Sequence, residues 1–493
     1  MRPLTPANKK LSECARFLEI KIEGDGTVKG ISSNSRDLQA GEIFAALPGE
    51  KFHGARFASD AASRGSIAIL TDAEGSRLIK EAGLNLPILT VDNPRALLGP
   101  LASFIYGNPS KAMKIVGVTG TNGKTTTTHL LFQIFRAAGL SAGLIGTVGN
   151  QIDGEQFPAT HTTPESDELQ RIFAVMAERG VQAAAIEVSS HALAQYRVDG
   201  TRFATVGFTN LTQDHLDYHG TMENYFAAKS RLFGRDFASQ GSIVIDGAFG
   251  KKLSEISPFK TKSVSRGKER ADWHLSEAIP YEMGYKVSIS GPDGISIQGE
   301  IPLFGDHNLE NALLAISLAH QCGISVHDIK SALPTLRGAP GRLERIDRGQ
   351  GFIALVDYAH TPDAVRRILS TARNLTKGKV IAVLGCGGDR DSSKRPLMGA
   401  ALTEGADIPI FTSDNPRSED PMKIIREMTQ GVALSHDARV IVDRREAISE
   451  GVRCALEGDV LIVLGKGHET GQEISGTKHP FDDRIVLSEL IHS

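Results

Sequence analysis

Cysteine is scarce. Only four stand in 493 residues (Cys14, Cys322, Cys386 and Cys454), and no two form a C-x-x-C pair. That spacing argues against a zinc knuckle or a thioredoxin-type motif, and scattered thiols fit a reducing cytoplasm. Long apolar runs are missing as well. A run such as "VLIVLG" falls far short of the ~20 residues that span a bilayer. The opening "MRPLTPANKKLSECARFLEI" has no apolar stretch followed by a small-residue cleavage site, so it does not read as a secretory leader. Excess charge is lacking too. The net charge is -3, which provides no broad basic surface for nucleic acid. No short-period repeat or low-complexity tract occurs. We expect a soluble, cytoplasmic, monomeric protein with no nucleic-acid partner and no membrane segment. Any anionic ligand would be held by local groups.

What is present is ordinary globular material, 40% hydrophobic and 23% charged. At about 100–200 residues per domain the length suggests three domains. Buried-strand patterns recur at "KIVGVT" (114–119), "AAAIEVSS" (183–190), "FATVGFTN" (203–210), "FIALVDYA" (352–359), "KVIAVLGC" (379–386) and "VLIVLGKG" (460–467). Continuous apolar strands separated by helix-patterned stretches indicate parallel sheets covered on both faces, so the class is α/β. Turn-rich breaks at "YGNPSKAMK" (106–114) and "PTLRGAPGR" (334–342) divide the chain into domains 1–110, 111–338 and 339–493. The stretch from 260 to 303 is more strand-and-turn in character.

"GVTGTNGKTTTTHL" (117–130) departs from the usual G-x-x-x-x-G-K-[ST] phosphate loop. Gly123, Lys124 and Thr125 supply its end, but Val118 stands where the first glycine should be. Its setting favours a nucleotide site nonetheless. A buried strand enters, a helix leaves, and the helix N-terminus offers unpaired N–H groups to a phosphate. Lys124 would reach the terminal phosphates and Thr125 would place a hydroxyl on Mg²⁺. "EVSSH" (187–191) puts Glu187 at a strand tip, where it could hold a metal or cap the turn. "NLTQDHLDYHG" (210–220) gathers Asp214, His215, Asp217 and His219, a density that fits either a metal or catalytic site or a polar loop. Lys229, in "NYFAAKSRLF", reads by itself as a solvated helix lysine.

"TGTNGKT" (119–125) resembles the phosphate loop of the Mur ligases, ATP-dependent amide ligases of peptidoglycan synthesis, and of the related folylpolyglutamate synthetases. The resemblance runs over nearly the whole chain. It implies a three-domain architecture: an N-terminal UDP-binding domain, a central P-loop ATPase-like parallel-sheet domain and a C-terminal Rossmann-like domain. It implies ATP contacts at Gly120, Thr121, Asn122, Gly123, Lys124, Thr125, Thr126, Asn308, Arg342 and Asp357, with ATP shared by the second and third domains. It implies magnesium at Thr125, Glu187 and His215, catalytic parts for Lys124, Lys229 and His215, and carbamylation of Lys229 to N6-carboxylysine. "SSNSRDLQAGEIFAALPGEKFHGARF" (32–57) resembles the UDP-holding segment, with Ser33 and Ser35 in the matching places. "HTTP" (161–164) and "SSHALAQYR" (189–197) add Thr162, Thr163, Ser189, Gln195 and Arg197 for the acceptor nucleotide-sugar peptide, UDP-MurNAc-L-Ala-D-Glu.

"SDNPRSED" (413–420) resembles the branch that adds meso-diaminopimelate. Asp414, Asn415, Pro416 and Arg417 match its amino-acid site, together with Arg390, Gly465 and Glu469. Arg417 could clamp the carboxylate at the far end of diaminopimelate. Lysine carries only an ammonium there. The implied reaction is ATP-dependent addition of meso-diaminopimelate to the D-glutamate of the acceptor through an acyl phosphate. Two other readings stay open: a folylpolyglutamate-type ligase, and a P-loop ATPase that is not a ligase.

Overall fold

Strand Lys114–Thr119 is apolar from Ile115 onward because both faces of its sheet are covered, and its residues from Ile115 to Thr119 are buried. In the computed structural model it lies at the middle of an eleven-stranded sheet. The model describes residues 1–49, 51–267, 269–281 and 284–492. Ala183–Glu187 runs parallel on one side of this strand and Thr205–Phe208 on the other, with Ala142–Ile145, Gly241–Val244 and Thr261–Ser265 extending the parallel core. The chain first builds one side of Lys114–Thr119, with Ala142–Ile145 and then Ala183–Glu187, and crosses from there to Thr205–Phe208 on the other. That switch opens a crevice at the carboxyl ends of the strands, where α/β sheets bind ligands. An antiparallel meander of Trp273–Tyr281, Gly284–Ser290 and Ser296–Ile301 completes one edge, in keeping with the strand-and-turn pattern read from that stretch. Four strands end earlier than their quoted runs: Ala183–Glu187, Thr205–Phe208, Ile353–Asp357 and Val460–Leu464.

The chain divides into two compact units, Met1–Pro302 with Asp306–Leu336, and Leu303–Gly305 with the residues from Arg337 on. The first unit also holds a separate four-stranded parallel sheet, ordered Gly30–Ser32, Glu42–Ala45, Ala68–Thr71, Ile88–Thr90, with its own apolar core around Ile31, Ile43 and Leu70. The second unit is a six-stranded sheet. Its parallel strands are Ile353–Asp357, Val460–Leu464, Val380–Cys386, Ile408–Ser413 and Arg439–Val440 in spatial order, and Glu344–Ile346 is antiparallel at one edge. Val460–Leu464, the last strand of this sheet in chain order, is inserted between two earlier strands. This again makes a switch point, and the loops after residues 357, 386, 413 and 464 share one end of the sheet.

Candidate active site

The phosphate loop occupies residues 120–123, between strand Lys114–Thr119 and helix Lys124–Ala137. Its glycines are required by contact and by backbone shape. Gly120 has φ +147 and a Cβ there would lie 1.9 Å from Thr209 Oγ1, while Gly123 has φ +86 and a Cβ would lie 2.2 Å from Asn311 Oδ1. Only glycine tolerates both demands. The four threonines that open the helix are β-branched and poor helix formers. All four are buried, so packing rather than propensity holds this turn. Thr126 is among them, and Asn122 lies exposed at the loop tip.

Lys124 folds over the loop, donating to the carbonyls of Gly120 at 2.9 Å and Thr121 at 2.8 Å. Thr121 bonds Tyr225 Oη at 3.1 Å. Lys229 is not the solvated lysine that its helix pattern suggests. Helix Met222–Ser230 aims it inward, where it is 1% exposed, donates to the Gly120 carbonyl at 2.7 Å and lies 4.6 Å from the Tyr225 ring centre. Burial, and then the neighbouring charge of Lys124, hold its pKa well below the usual ammonium value. That shift favours the neutral amine, the nucleophilic form of lysine.

Glu187 is 1% exposed, and a buried carboxylate needs compensation. It accepts from Thr125 Oγ1 at 2.7 Å, the Thr147 amide at 2.8 Å and Thr147 Oγ1 at 3.2 Å. A Cβ at Gly146 would meet it at 2.2 Å. Thr125 and Glu187 thus bring hard oxygen donors together beside the phosphate loop, which suits magnesium: that ion takes one or two protein oxygens and completes its shell with water and phosphate. His215 lies in an exposed left-handed turn. It lies 3.5 Å from Asp214 Oδ2, with its ring 4.8 Å from that of His191. No group of three or more His, Cys, Asp or Glu side chains poised for a metal occurs among the described residues.

The residues expected at the acceptor join this network. Thr162 Oγ1 contacts Thr147 Oγ1 at 3.0 Å. Thr163 Oγ1 donates to the Glu187 carbonyl at 2.8 Å and accepts from the Ser189 amide at 3.1 Å. Ser189 caps helix Ser190–Ala194 through the Ala192 amide. Arg197 donates to the Thr163 carbonyl at 3.2 Å and to Gln195 Oε1 at 2.7 Å, and pairs with Glu165 at 3.1 Å. Ser33 spends its amide and hydroxyl on Asp167, at 2.7 and 3.0 Å. Ser35 is buried and bonds Asp60. Asn308 is buried on helix Asp306–Gln321 and accepts from Asn311 Nδ2 at 3.3 Å.

Arg342 and Asp357 belong to the second unit. Asp357 accepts from the amides of Leu343 and Ala359, both at 2.7 Å, and so clamps its own loop. Burial raises its pKa, opposed by the Arg342 charge. Arg342 lies over the Tyr358 ring at 4.6 Å with a buried Nε that has no hydrogen-bond partner among the described residues.

The remaining residues cluster at the carboxyl end of the second sheet. Arg417 holds a left-handed backbone at φ +51, an uncommon shape for a long side chain that depends on support from its surroundings. A hairpin of Gly471–Ile474 and Thr477–Pro480 provides it. The Arg417 amide donates to the Glu473 carbonyl at 3.0 Å, and the Ser475 amide donates to the Arg417 carbonyl at 2.7 Å. Its guanidinium donates to the Gly388 carbonyl at 2.6 Å and lies 3.5 Å from Glu473. Gly388 fits because the Pro416 carbonyl would lie 1.9 Å from any Cβ there. Arg390 is exposed on the same loop. Asp414 is buried, its pKa raised by burial against the opposing charges of Arg444 and Lys466. Gly465, at φ +108, leaves room for its carboxylate. Asn415 Nδ2 donates to Glu469 Oε2 at 2.8 Å. Burial would raise the Glu469 pKa, but Lys466 and Asn415 outweigh it and hold Glu469 below its ordinary value.

Sequence reasoning did not assign Thr147, Tyr225 or Lys466 to the site, and it left Asn311 without a part. Thr147 lies outside the quoted stretches, and Tyr225 stands in "NYFAAKSRLF" with nothing in the pattern to single it out. Lys466 sits within "GKGHET" (465–470), where the glycines conceal it as a turn residue.

A phosphate loop with a buried acid at the neighbouring strand tip fits a ligase that uses a nucleotide. Three family models match: "Mur ligase family, catalytic domain" over residues 27–106, "Mur ligase middle domain" over 118–319, and "Mur ligase, glutamate ligase domain" over 341–467. The chain belongs to the Mur ligase family and has its three-domain α/β architecture. More particularly, it is 44% identical to the UDP-N-acetylmuramoyl-L-alanyl-D-glutamate–2,6-diaminopimelate ligase of Streptomyces coelicolor, over 99% of this chain and 98% of that one. A solved structure carrying the same ligase name shares 34% identity at TM-score 0.72, over 97% of this chain and 98% of its own. A folylpolyglutamate synthase of Mycobacterium tuberculosis, complexed with ADP and AMPPCP, covers 76% of this chain and 93% of its own at 17% identity and TM-score 0.61. That likeness is one of fold.

Proposed function

We propose that this chain is the ATP-dependent ligase that joins meso-diaminopimelate to the D-glutamate of UDP-MurNAc-L-Ala-D-Glu in peptidoglycan synthesis. The observation that carries the reading is the placement of Arg417 and Glu469 in loops that leave the same end of one sheet. A guanidinium for a carboxylate and a carboxylate for an ammonium suit an amino acid whose distal end bears both groups. The D-glutamyl carboxylate attacks the γ-phosphorus of ATP, the bond to ADP breaks and an acyl phosphate forms. The amine of diaminopimelate then attacks the acyl carbon, the C–N bond forms and phosphate leaves with the carbonyl–oxygen bond broken. Lys124, on the loop that receives the phosphates, offsets charge on the transferred group. Thr125 and Glu187 would hold magnesium, with His215 as the further ligand. The ion would supply charge neutralisation at the phosphates. Lys229, buried as an amine, is the residue we expect to be carbamylated. Ser33, Ser35, Thr162, Thr163, Ser189, Gln195 and Arg197 hold the acceptor, and Asn308, Arg342 and Asp357 serve the nucleotide. No helix among the described residues is long and apolar enough to cross a membrane, and the four cysteines are free. The free cysteines fit a reducing compartment, and we place the enzyme in the cytoplasm as a monomer.

Phosphate release from ATP, with the acceptor present and meso-diaminopimelate compared with L-lysine, tests the reading. We expect release that requires both substrates and is strong only with diaminopimelate. Strong release with lysine would overturn the amino-acid assignment, and release needing neither substrate would overturn the ligase.

A further inference from the structure

We propose that Lys466 is a positioning residue of the amino-acid pocket, its ammonium holding Asn415 and Glu469 in the arrangement that receives the diamino acid. The inference rests on the ligase reading above and adds a residue to it. Lys466 follows strand Val460–Leu464 and is 0% exposed. Burying an ammonium is costly unless its donors are satisfied. Here all three are used: Asn415 Oδ1 at 3.2 Å, Glu469 Oε2 at 3.1 Å and the Gly471 carbonyl at 2.7 Å. With no donor left over, Lys466 acts through the groups it holds and does not itself touch substrate.

Those groups come from two segments, Asn415 from the loop after Ser413 and Glu469 and Gly471 from the run after Leu464. Asn415 Oδ1 also accepts from the Glu473 amide at 3.0 Å. Its orientation is thereby settled, and Nδ2 is turned onto Glu469 Oε2 at 2.8 Å. Glu469 is consequently held by one oxygen, while Oε1 accepts no hydrogen bond among the described residues and is left for an incoming ammonium. The Gly471 bond anchors the hairpin whose Glu473 carbonyl accepts from the Arg417 amide at 3.0 Å. One buried ammonium therefore ties together the proposed ammonium-binding and carboxylate-binding sides of the pocket.

The test is steady-state kinetics of Lys466→Met and Lys466→Gln beside the wild type, with the KM of each substrate measured separately. Wild-type turnover dependent on diaminopimelate establishes the underlying reading, and its absence defeats that reading whatever the variants do. Given that turnover, we expect Lys466→Met to raise the KM for diaminopimelate about tenfold or more. The KM for ATP and for the acceptor should stay within about twofold. Lys466→Gln keeps two donors and should recover part of the loss. An unchanged KM for diaminopimelate overturns the proposal, as does an equal rise for all three substrates. If Lys466→Met does not fold, Lys466→Gln decides by the same criteria. Failure of both to fold makes Lys466 a stability residue and overturns the proposal as well.

Discussion

Arg417 shows how much a single residue's environment adds to its identity. An arginine after "DNP" is compatible with an ordinary surface turn. In the structure its backbone is held at φ +51 by a two-way hydrogen-bond exchange with a hairpin more than 50 residues further on. Its Nη1 is fixed on the Gly388 carbonyl and its Nε lies 3.5 Å from Glu473, so two segments hold the guanidinium in place. Lysine cannot reproduce a bidentate fork. Arg417→Lys should therefore raise the KM for meso-diaminopimelate about tenfold or more while leaving that for ATP nearly unchanged. Equal changes in both constants would remove Arg417 from the pocket.

At the scale of elements, helix Met222–Ser230 delivers Lys229 to the same Gly120 carbonyl that Lys124 uses. Two lysines on one carbonyl repel each other unless one gives up its charge, and burial selects Lys229 for that. A neutral amine reacts with carbon dioxide to form a carbamate and release a proton. The resulting anion would relieve the repulsion from Lys124. Incubation with ¹³C-bicarbonate should produce a carbamate carbon signal that is absent from Lys229→Ala. That variant should also lose about 10²-fold or more in turnover, the usual scale for a charge-stabilising group. A wild-type protein that takes up no label at Lys229 would end the assignment. The phosphate loop is likewise a property of its neighbours. Thr209 and Asn311 crowd Gly120 and Gly123, so the shifted glycine spacing follows from what packs on the loop.

At the scale of the whole molecule, stability should carry a pH dependence from a group outside the reaction. Glu310 is pushed up to about 7 by burial and then by the Asp246 charge, with Arg266 opposing. Near pH 4.5, its ordinary value, the folded state keeps the proton and bears no ionic penalty. As pH rises through about 7 a buried acid must ionise, and stability falls. Glu310→Gln should melt a few degrees higher than wild type at pH 8 and at nearly the same temperature at pH 5, read by calorimetry. A difference that does not grow with pH would show that Glu310 is solvated. The α/β class, the strands and the glycine loop were legible because each is written in a local pattern: an apolar run, a turn cluster, a strand followed by G-K-T. Resemblance to a family extended that reading to Glu187, Lys229 and Arg417. Local pattern could not reveal that Lys229 is buried, that Thr147 joins Thr125 on Glu187, or that Lys466 holds Asn415 to Glu469. These facts depend on groups brought together from distant parts of the chain, where burial decides which amine stays neutral and which oxygen is left for a ligand. The sequence by itself determined the elements and the kinds of side chain at their ends. Only the tertiary structure decided their partners and charge states, because desolvation and hydrogen bonding act between neighbours in space.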